Sequence, residues 1–375
     1  MNNAINNENK KLNVPNLRFK EFQGEWEYFL INDVCSEFKS GKNIKADSVF
    51  ECGEYPVYGG NGLRGYTSSY NHEGSYVLIG RQGALCGNVR SVYGKTYITE
   101  HAIAVAGNEK SNTNFLHYLF LKMNLGQYSD QSAQPGLAVN KLLKLKVALP
   151  IISEQTKIAK FLSLLDERIA TQNKIIDKLQ TLIKGIVDST ILRKEKNAIV
   201  GDVCSISEQI RAEANIDDII TVRLHGNGVC KSSAENLQLG ATQYYRRRAG
   251  QLIYGKQNFH NGAIGIVPIS LDNGITSKDI PSFDIDEMKC NSVYLLAQLQ
   301  SPQYYKPAEA LTTGTGSKRL KEETFLKMPI VLPNKREQDN IATLIISISA
   351  NLDQAKKMLD LFSIQKQYLL RQMFI

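Results

Sequence analysis

One phrase is written twice in this chain, and a long apolar-periodic segment follows each copy. Leu149-Pro150-x-x-x-Glu154-Gln155-x-x-Ile158-Ala159 returns 183 residues later as Leu332-Pro333-x-x-x-Glu337-Gln338-x-x-Ile341-Ala342. An internal repeat limits the fold to two related units built from one polypeptide. After the first copy, Ile158, Leu162, Leu165, Ile169, Gln172, Ile176, Leu179, Ile183, Ile186 and Thr190 advance by alternating fours and threes. The same frame 183 residues on holds Ile341, Ile345, Ile348, Leu352, Ala355, Leu359, Phe362, Lys366, Leu369 and Met373. A 3.5-residue apolar period keeps one stripe of a helix facing a partner helix, which is the coiled-coil signature. A lone amphipathic helix on a core would mimic one copy, but two in one frame point to a pair, each roughly 60 Å long at the α-helical rise.

The chain has 375 residues, enough for two or three domains with their own cores. It contains no run of 18 apolar residues, and its start, Met1-Asn2-Asn3-Ala4-Ile5-Asn6-Asn7, is polar, so neither a membrane span nor a signal peptide is expected. Six cysteines are scattered without a Cys-x-x-Cys pair or a histidine at ligand spacing. That excludes a metal knuckle and a disulfide framework, and reduced thiols in a cytoplasmic protein are expected. The net charge of +8 suits an anionic partner but is spread along the chain, so the case for one rests on local clusters.

Five segments follow from these signals: a disordered tail (1–14), a first globular domain (15–150), a central long helix (151–195), a second globular domain (196–333) and a C-terminal long helix (334–375). Ser153 stands where it would cap the first helix, and Asn334-Lys335-Arg336-Glu337 resembles a capping box for the second. The globular parts echo each other. Asp33-Val34-Cys35-Ser36 matches Asp202-Val203-Cys204-Ser205, and Gly80-Arg81-Gln82 before Ile98-Thr99 parallels Gly255-Lys256-Gln257 before Ile275-Thr276. The runs Ser75–Ile79 and Gln251–Tyr254 read as strands between tight turns. The predicted class is therefore α+β, with two similar mixed α/β domains separated by an antiparallel two-helix coiled coil in a pseudo-two-fold arrangement. Antiparallel pairing follows from the connection. A domain of this size has a radius near 14 Å and neighbouring termini; parallel helices would pull those termini about 60 Å apart.

Beside the seam, Phe161, Ile175 and Leu182 make an apolar edge on the first helix, and Leu344 and Met358 do so on the second. A two-stranded coil keeps such positions charged, so these residues suggest additional docked helices or packing against the globular domains. Two such edges imply two equivalent docking sites and two copies of one partner.

Two diverged domains, each followed by Leu-Pro-x-x-x-Glu-Gln-x-x-Ile-Ala and a long helix, resemble the specificity subunit of type I restriction-modification systems. The opening Pro15-Asn16-Leu17-Arg18-Phe19-Lys20-Glu21-Phe22-x-Gly24-Glu25-Trp26-Glu27 resembles the start of that family. The resemblance spans nearly the whole chain. It implies two target-recognition domains, each reading one half of a split double-stranded DNA sequence. It also implies two modification subunits that methylate adenine with S-adenosylmethionine, and restriction subunits that use ATP and Mg. This chain would supply the address and no chemistry. Glu154, Gln155, Glu337 and Gln338 join the apolar edge as expected partner-binding residues.

The residues themselves agree on chemistry. There is no Asn/Asp-Pro-Pro-aromatic loop for a flipped adenine. Gly94-Lys95-Thr96 lacks the glycine, Val89 here, that a phosphate-binding loop requires, and Glu287-Met288-Lys289 lacks the Pro-Asp of a nuclease motif. The alternatives are a self-contained methyltransferase or nuclease with duplicated domains, and a coiled-coil scaffold that does not bind DNA.

Bases are read by bidentate Arg, Lys, Asn and Gln, and phosphates are held by cations and hydroxyls. In the second domain these types gather in Tyr244, Tyr245, Arg246 and Arg248, in Lys256, Gln257, Asn258 and His260, and in Thr315, Ser317, Lys318 and Arg319. Strand alternation would turn Arg246 and Arg248 one way and Arg247 the other. The first domain offers Lys42 and Asn43, then Tyr58, Asn61 and Arg64 in a glycine-rich stretch that also reads as a hairpin turn. It adds Arg81, Gln82 and Asn88, then Ser132 and Gln134.

Overall fold

A computed structural model describes residues 13–130, 135–232, 242–314 and 318–375. The chain forms two compact units: one runs through Gln172 and takes in Met358–Ile375, and the other is Asn173–Lys357.

In the first unit the order is β1 (Glu27–Leu30), α1 (Ile31–Val34), β2 (Cys35–Ser40), β3 (Tyr55–Gly59), β4 (Gly62–Thr67), β5 (His72–Gly80), β6 (Val89–Ile98), β7 (Ala102–Gly107), α2 (Thr113–Met123), α3 (Val139–Leu143), β8 (Lys146–Leu149) and the long helix α4 (Ile152–Val187), whose later part lies in the second unit. The six-stranded sheet runs β2-β7-β5-β6-β3-β4, antiparallel except where β3 lies parallel to β6. β5 sits inside the sheet because Val77, Leu78 and Ile79 are buried on both faces, which suits a β-branched run with strands on either side. The Gly-rich stretch is a hairpin: Gly59 pairs with Gly62 across a Gly60-Asn61 tip, and Gly62 adopts φ +104°, which a side chain would strain. Phe115, Leu116, Leu119 and Phe120 of α2 share one core with Trp26, with Ile158, Leu162 and Leu165 of α4, and with Leu369 and Met373 near the C-terminus.

The second unit contains β9 (Ala198–Ile199), β10 (Cys204–Ile206), β11 (Arg211–Ala212), β12 (Ile220–Val222), β13 (Val229–Lys231), β14 (Tyr244–Arg247), β15 (Leu252–Tyr254), β16 (Ile264–Ile266), β17 (Gly274–Ser277), β18 (Ser282–Ile285), α5 (Ser292–Leu299), α6 (Pro302–Tyr305), α7 (Glu322–Leu326), β19 (Pro329–Ile330) and most of α8 (Lys335–Gln372). Its central sheet runs β10-β18-β15-β16. That is the order β2-β7-β5-β6 of the first unit, again antiparallel throughout. The flanking pairs match too: β1 with β8, and β9 with β19. The additions differ. The first unit carries the β3–β4 hairpin, whereas the second carries a β11-β14-β17 sheet and a β12–β13 hairpin. A common frame with unlike insertions explains why only fragments of the two domains look alike in sequence.

The helix seam follows the predicted stripe. In the first unit the start of α4 packs on the end of α8, and in the second Val187 and Ile191 pack with Ile341 and Ile345 at the start of α8. The two helices are therefore antiparallel. The first helix stops short of the expected residue 195. Residues Asp188–Leu192 make a wider π-helical turn, where Ser189 and Thr190 hydroxyls donate to the Gly185 and Ile186 carbonyls. Ser153 does not cap α4, because the helix has already begun at Ile152 and the Ile151 carbonyl takes the Glu154 and Gln155 N–H groups. Asn334, the repeat partner of Ile151, does cap its helix by accepting from the Glu337 N–H at 3.0 Å.

The repeated Glu-Gln pair turns out to be internal, which corrects the partner-binding expectation for Glu154, Gln155 and Gln338, all of them buried. Gln155 Nε2 donates to the Pro150 and Lys110 carbonyls, and its Oε1 accepts the Asn112 N–H at 2.8 Å. Gln338 repeats each bond with Pro333, Lys289 and Asn291, the last at 2.9 Å. Asn112 and Asn291 are the N-caps of α2 and α5. Each glutamine thus clamps the start of a long helix to the capping residue of its own domain. The glutamates meet cations ahead of each domain: Arg18 grips Glu154 with two nitrogens at 2.7 and 2.8 Å, and Lys194 pairs with the half-buried Glu337. Gln338→Ala is expected to cost about 2–3 kcal/mol, since it leaves a buried N–H and two carbonyls unmatched. A urea-unfolding midpoint that does not move would show the clamp to be dispensable.

Candidate nucleic-acid interface

Three loops meet at the same place in each domain. Arg81, just after β5, donates its N–H to His101 O at 2.9 Å and accepts the Leu137 N–H at 2.9 Å. Lys256, two residues past β15, donates to Asp279 O at 2.9 Å and accepts the Leu320 N–H at 2.9 Å. The backbone after the central strand is therefore pinned to the loop ahead of the next core strand and to the loop before α3 or α7. Side chains projecting from these pinned points are pre-set rather than floppy.

In the first domain the hairpin tip joins this convergence. Gly59, Gly60, Asn61, Arg64, Gln82 and His101 line a cleft of about 270 Å³. His101 Nδ1 lies 3.2 Å from Gln82 Oε1. A Cβ at Gly60 would lie 2.7 Å from the His101 carbonyl, so glycine permits the close approach. Arg64, Arg81 and Arg90 make no ion pair among the described residues, and Arg90 packs its guanidinium against Gly62. Lys42 and Asn43 are exposed on a loop stitched to Ile98 by the Lys42 N–H at 3.0 Å. Tyr58 is half-buried and passes its carbonyl to the Thr99 N–H. Asn88 is not brought into this cleft. It lines a separate pocket with Cys86, Phe120 and Asn124, because its carbonyl closes the loop onto Gly80. Ser132 and Gln134 lie outside the described residues.

In the second domain Lys256, Thr313, Gly314, Arg319, Lys321 and Glu322 line an open cleft of about 610 Å³. Gln257 and Asn258 are exposed beside it, and His260 is half-buried, with Nδ1 enclosed and unpartnered. The cations here are matched by acids: Lys256 with Glu322 at 2.7 Å, Lys318 with Glu309 at 2.9 Å, and Arg319 with Asp279 at 3.2 Å. Thr315 and Ser317 lie outside the described residues. On β14, Arg246 and Arg248 are exposed and Arg247 is fully buried, the alternation a strand imposes. Arg248 stands 3.7 Å from Glu208, and Arg246 opens on a groove with Asp217, Asp218 and Asp272. Tyr244 and Tyr245 do not reach the surface, at 6% and 5% exposure, which corrects their expected DNA role. Tyr244 packs with Ile219 and Ile275, and the Tyr245 ring lies under the buried Arg247 guanidinium at 5.7 Å. His101, Arg90, Asp279 and Glu322 were missed; the Ile98-Thr99 spacing stopped two residues short of His101.

On the helices, Ile175, Leu182 and Leu344 are exposed in the second unit, and Phe161 and Met358 are partly exposed in the first. Phe161 is partly covered by Phe19, edge-on at 5.8 Å, so local packing accounts for some of that edge. No described helix is long and apolar enough to cross a membrane.

Residues 23–181 match the family described as type I restriction modification DNA specificity domain. The first domain and most of α4 are thus similar to this specificity domain. The chain is 37% identical over 204 residues to the type I restriction enzyme EcoprrI specificity subunit of Escherichia coli, covering 52% of this chain and 47% of that one. It is also 28% identical over 144 residues to a type I restriction enzyme specificity subunit of Haemophilus influenzae, covering 38% of this chain and 37% of the relative. The chain thus spans less than half the length of these two relatives. The crystal structure of the type I restriction-modification S subunit from M. genitalium has the same fold, with TM-score 0.70 at 14% identity, over 96% of this chain and 99% of that one. The family match ends inside α4; the second domain shares with the first the strand order of its central sheet and the repeated phrase.

Proposed function

We propose that this chain is the non-catalytic address subunit of a type I restriction-modification complex, with each domain binding one half of a bipartite double-stranded DNA sequence. The observation that carries the proposal is the shared loop convergence: one backbone frame, pinned by equivalent hydrogen bonds at Arg81 and Lys256, presents different side chains in the two domains. Equal geometry with unequal chemistry suits reading two different half-sites. The antiparallel helices then serve as spacer and as a dock for two modification subunits, through Ile175, Leu182 and Leu344 on one stretch and Met358 with Phe161 on another. Those subunits would bring S-adenosylmethionine, and the restriction subunits ATP and Mg; no cofactor is assigned to this chain.

Mapping methylated adenines in DNA from cells that express this chain with its modification partner tests the reading. A two-part motif with an unread gap is expected, and a continuous motif contradicts it. Arg246→Ala should weaken DNA binding by about 1–3 kcal/mol if the side chain reads a base. A uniform loss with a shallower salt slope would make it a phosphate contact instead.

A further inference from the structure

The cleft of the second domain holds a carboxylate that phosphate binding does not call for. Glu322 opens α7, and its Oε1 lies 2.7 Å from Lys256 Nζ, with both side chains only partly exposed on the cleft. An acid in a basic groove repels phosphate, so its placement needs another reason. Lys256 is fixed by backbone bonds on both sides, to Asp279 and Leu320. An ammonium has three donors and a carboxylate about four acceptor sites. After pairing, the unit still presents two donors beside free acceptor sites.

That pattern is the inverse of one base-pair edge. In the major groove, guanine offers adjacent acceptors N7 and O6, and cytosine offers its N4 amino donor alongside, at a base-pairing distance of about 2.9 Å from O6. Two free ammonium donors match N7 and O6, while the carboxylate accepts from N4. An A·T edge places the N6 amino donor between its two acceptors, adenine N7 and thymine O4, and ends in an apolar methyl, so it offers no adjacent acceptor pair for the two ammonium donors. We propose that Lys256 and Glu322 act as one unit that reads a G·C base pair in the half-site of the second domain. This rests on the DNA-binding reading above. The unit has no counterpart in the first domain, where Arg81 replaces Lys256 and the repeat partner of Glu322 is Val139. The two halves would then differ in sequence for a stated chemical reason.

The test is to map methylated sites for the wild type, Glu322→Gln and Lys256→Gln, each expressed with the modification partner. Both variants are expected to lose about tenfold or more of their preference at one G·C position in one half of the motif. The other half should remain unchanged, which also shows that the variant is folded and assembled. If either variant yields no methylation, Glu322→Asp, which keeps the acceptor on a shorter arm, should retain the G·C position while methylating it less completely. An intact two-part motif unchanged at every position in the variants overturns the pairing while leaving the address function standing. A relaxed A·T position overturns it as well. A wild type without any two-part motif overturns both.

Discussion

Arg247→Ala is expected to destabilise the second unit by about 4 kcal/mol, at the upper end of what single substitutions do. The side chain is fully buried, and its guanidinium fans out to Thr276 Oγ1 at 2.7 Å, Ser282 Oγ at 3.0 Å and the Ile280 carbonyl at 3.0 Å. No carboxylate pairs with it among the described residues, and burial pushes its pKa down to about 10. The charge is held by neutral oxygens and by the Tyr245 ring, 5.7 Å away, and its hydrogen bonds tie β14 and β17 to the start of β18. Alanine would leave a cavity and unmatched buried oxygens together. Arg247→Lys should recover only part of the loss, because one ammonium cannot reproduce the planar fork. Arg246→Ala, one residue away and exposed, should stay within about 0.5 kcal/mol. Urea-unfolding midpoints of the three variants decide the matter; equal shifts for Arg246→Ala and Arg247→Ala would refute the buried-network account.

This strand also shows what sequence reading reaches. Alternation along Tyr244–Arg248 correctly separates Arg247 from its neighbours, since period two is a property of any strand. It fails for the tyrosines, because whether the outer face of a strand is also covered depends on the residues packed on it, here Ile219 and Ile275 against Tyr244. The helix seam was legible because its period is local and repeated twice. Its end was not, since the π-turn at Asp188–Leu192 depends on hydroxyls bonding back to the helix. The recurrence of Glu-Gln was visible, yet its role was misjudged. A repeat marks a shared need, and here that need is internal clamping at Asn112 and Asn291. The common strand order β2-β7-β5-β6 and β10-β18-β15-β16 could not be read from short runs, because register and order are settled by non-local pairing. The same limit hid Glu322, which meets Lys256 only through the folded cleft.

Acid should weaken the first unit through His117. This residue lies on α2 with Nδ1 enclosed and without a hydrogen-bond partner, its ring edge-on to Tyr118 at 4.8 Å. From α4 and α8 it faces Asp166 and Lys366, themselves paired at 2.5 Å, and Tyr118 donates to Asp166 at 2.9 Å. Burial, and then the Lys366 charge, push the His117 pKa down from 6.5 to about 4, with Asp166 pulling the other way. The unfolded chain therefore takes up a proton between about pH 6.5 and 4 that the folded chain refuses. Stability from this group is complete above pH 6.5 and falls as the pH drops towards 4, by about 3 kcal/mol over that window. Thermal melts of the wild type and His117→Gln across this range provide the measurement. The variant should start less stable at pH 7 and lose less on acidification, so the two curves converge near pH 4. Parallel curves would mean that the acid response comes from carboxylates elsewhere, and that the Tyr118–Asp166–Lys366 knot holds α2 to the helices whatever the charge of His117.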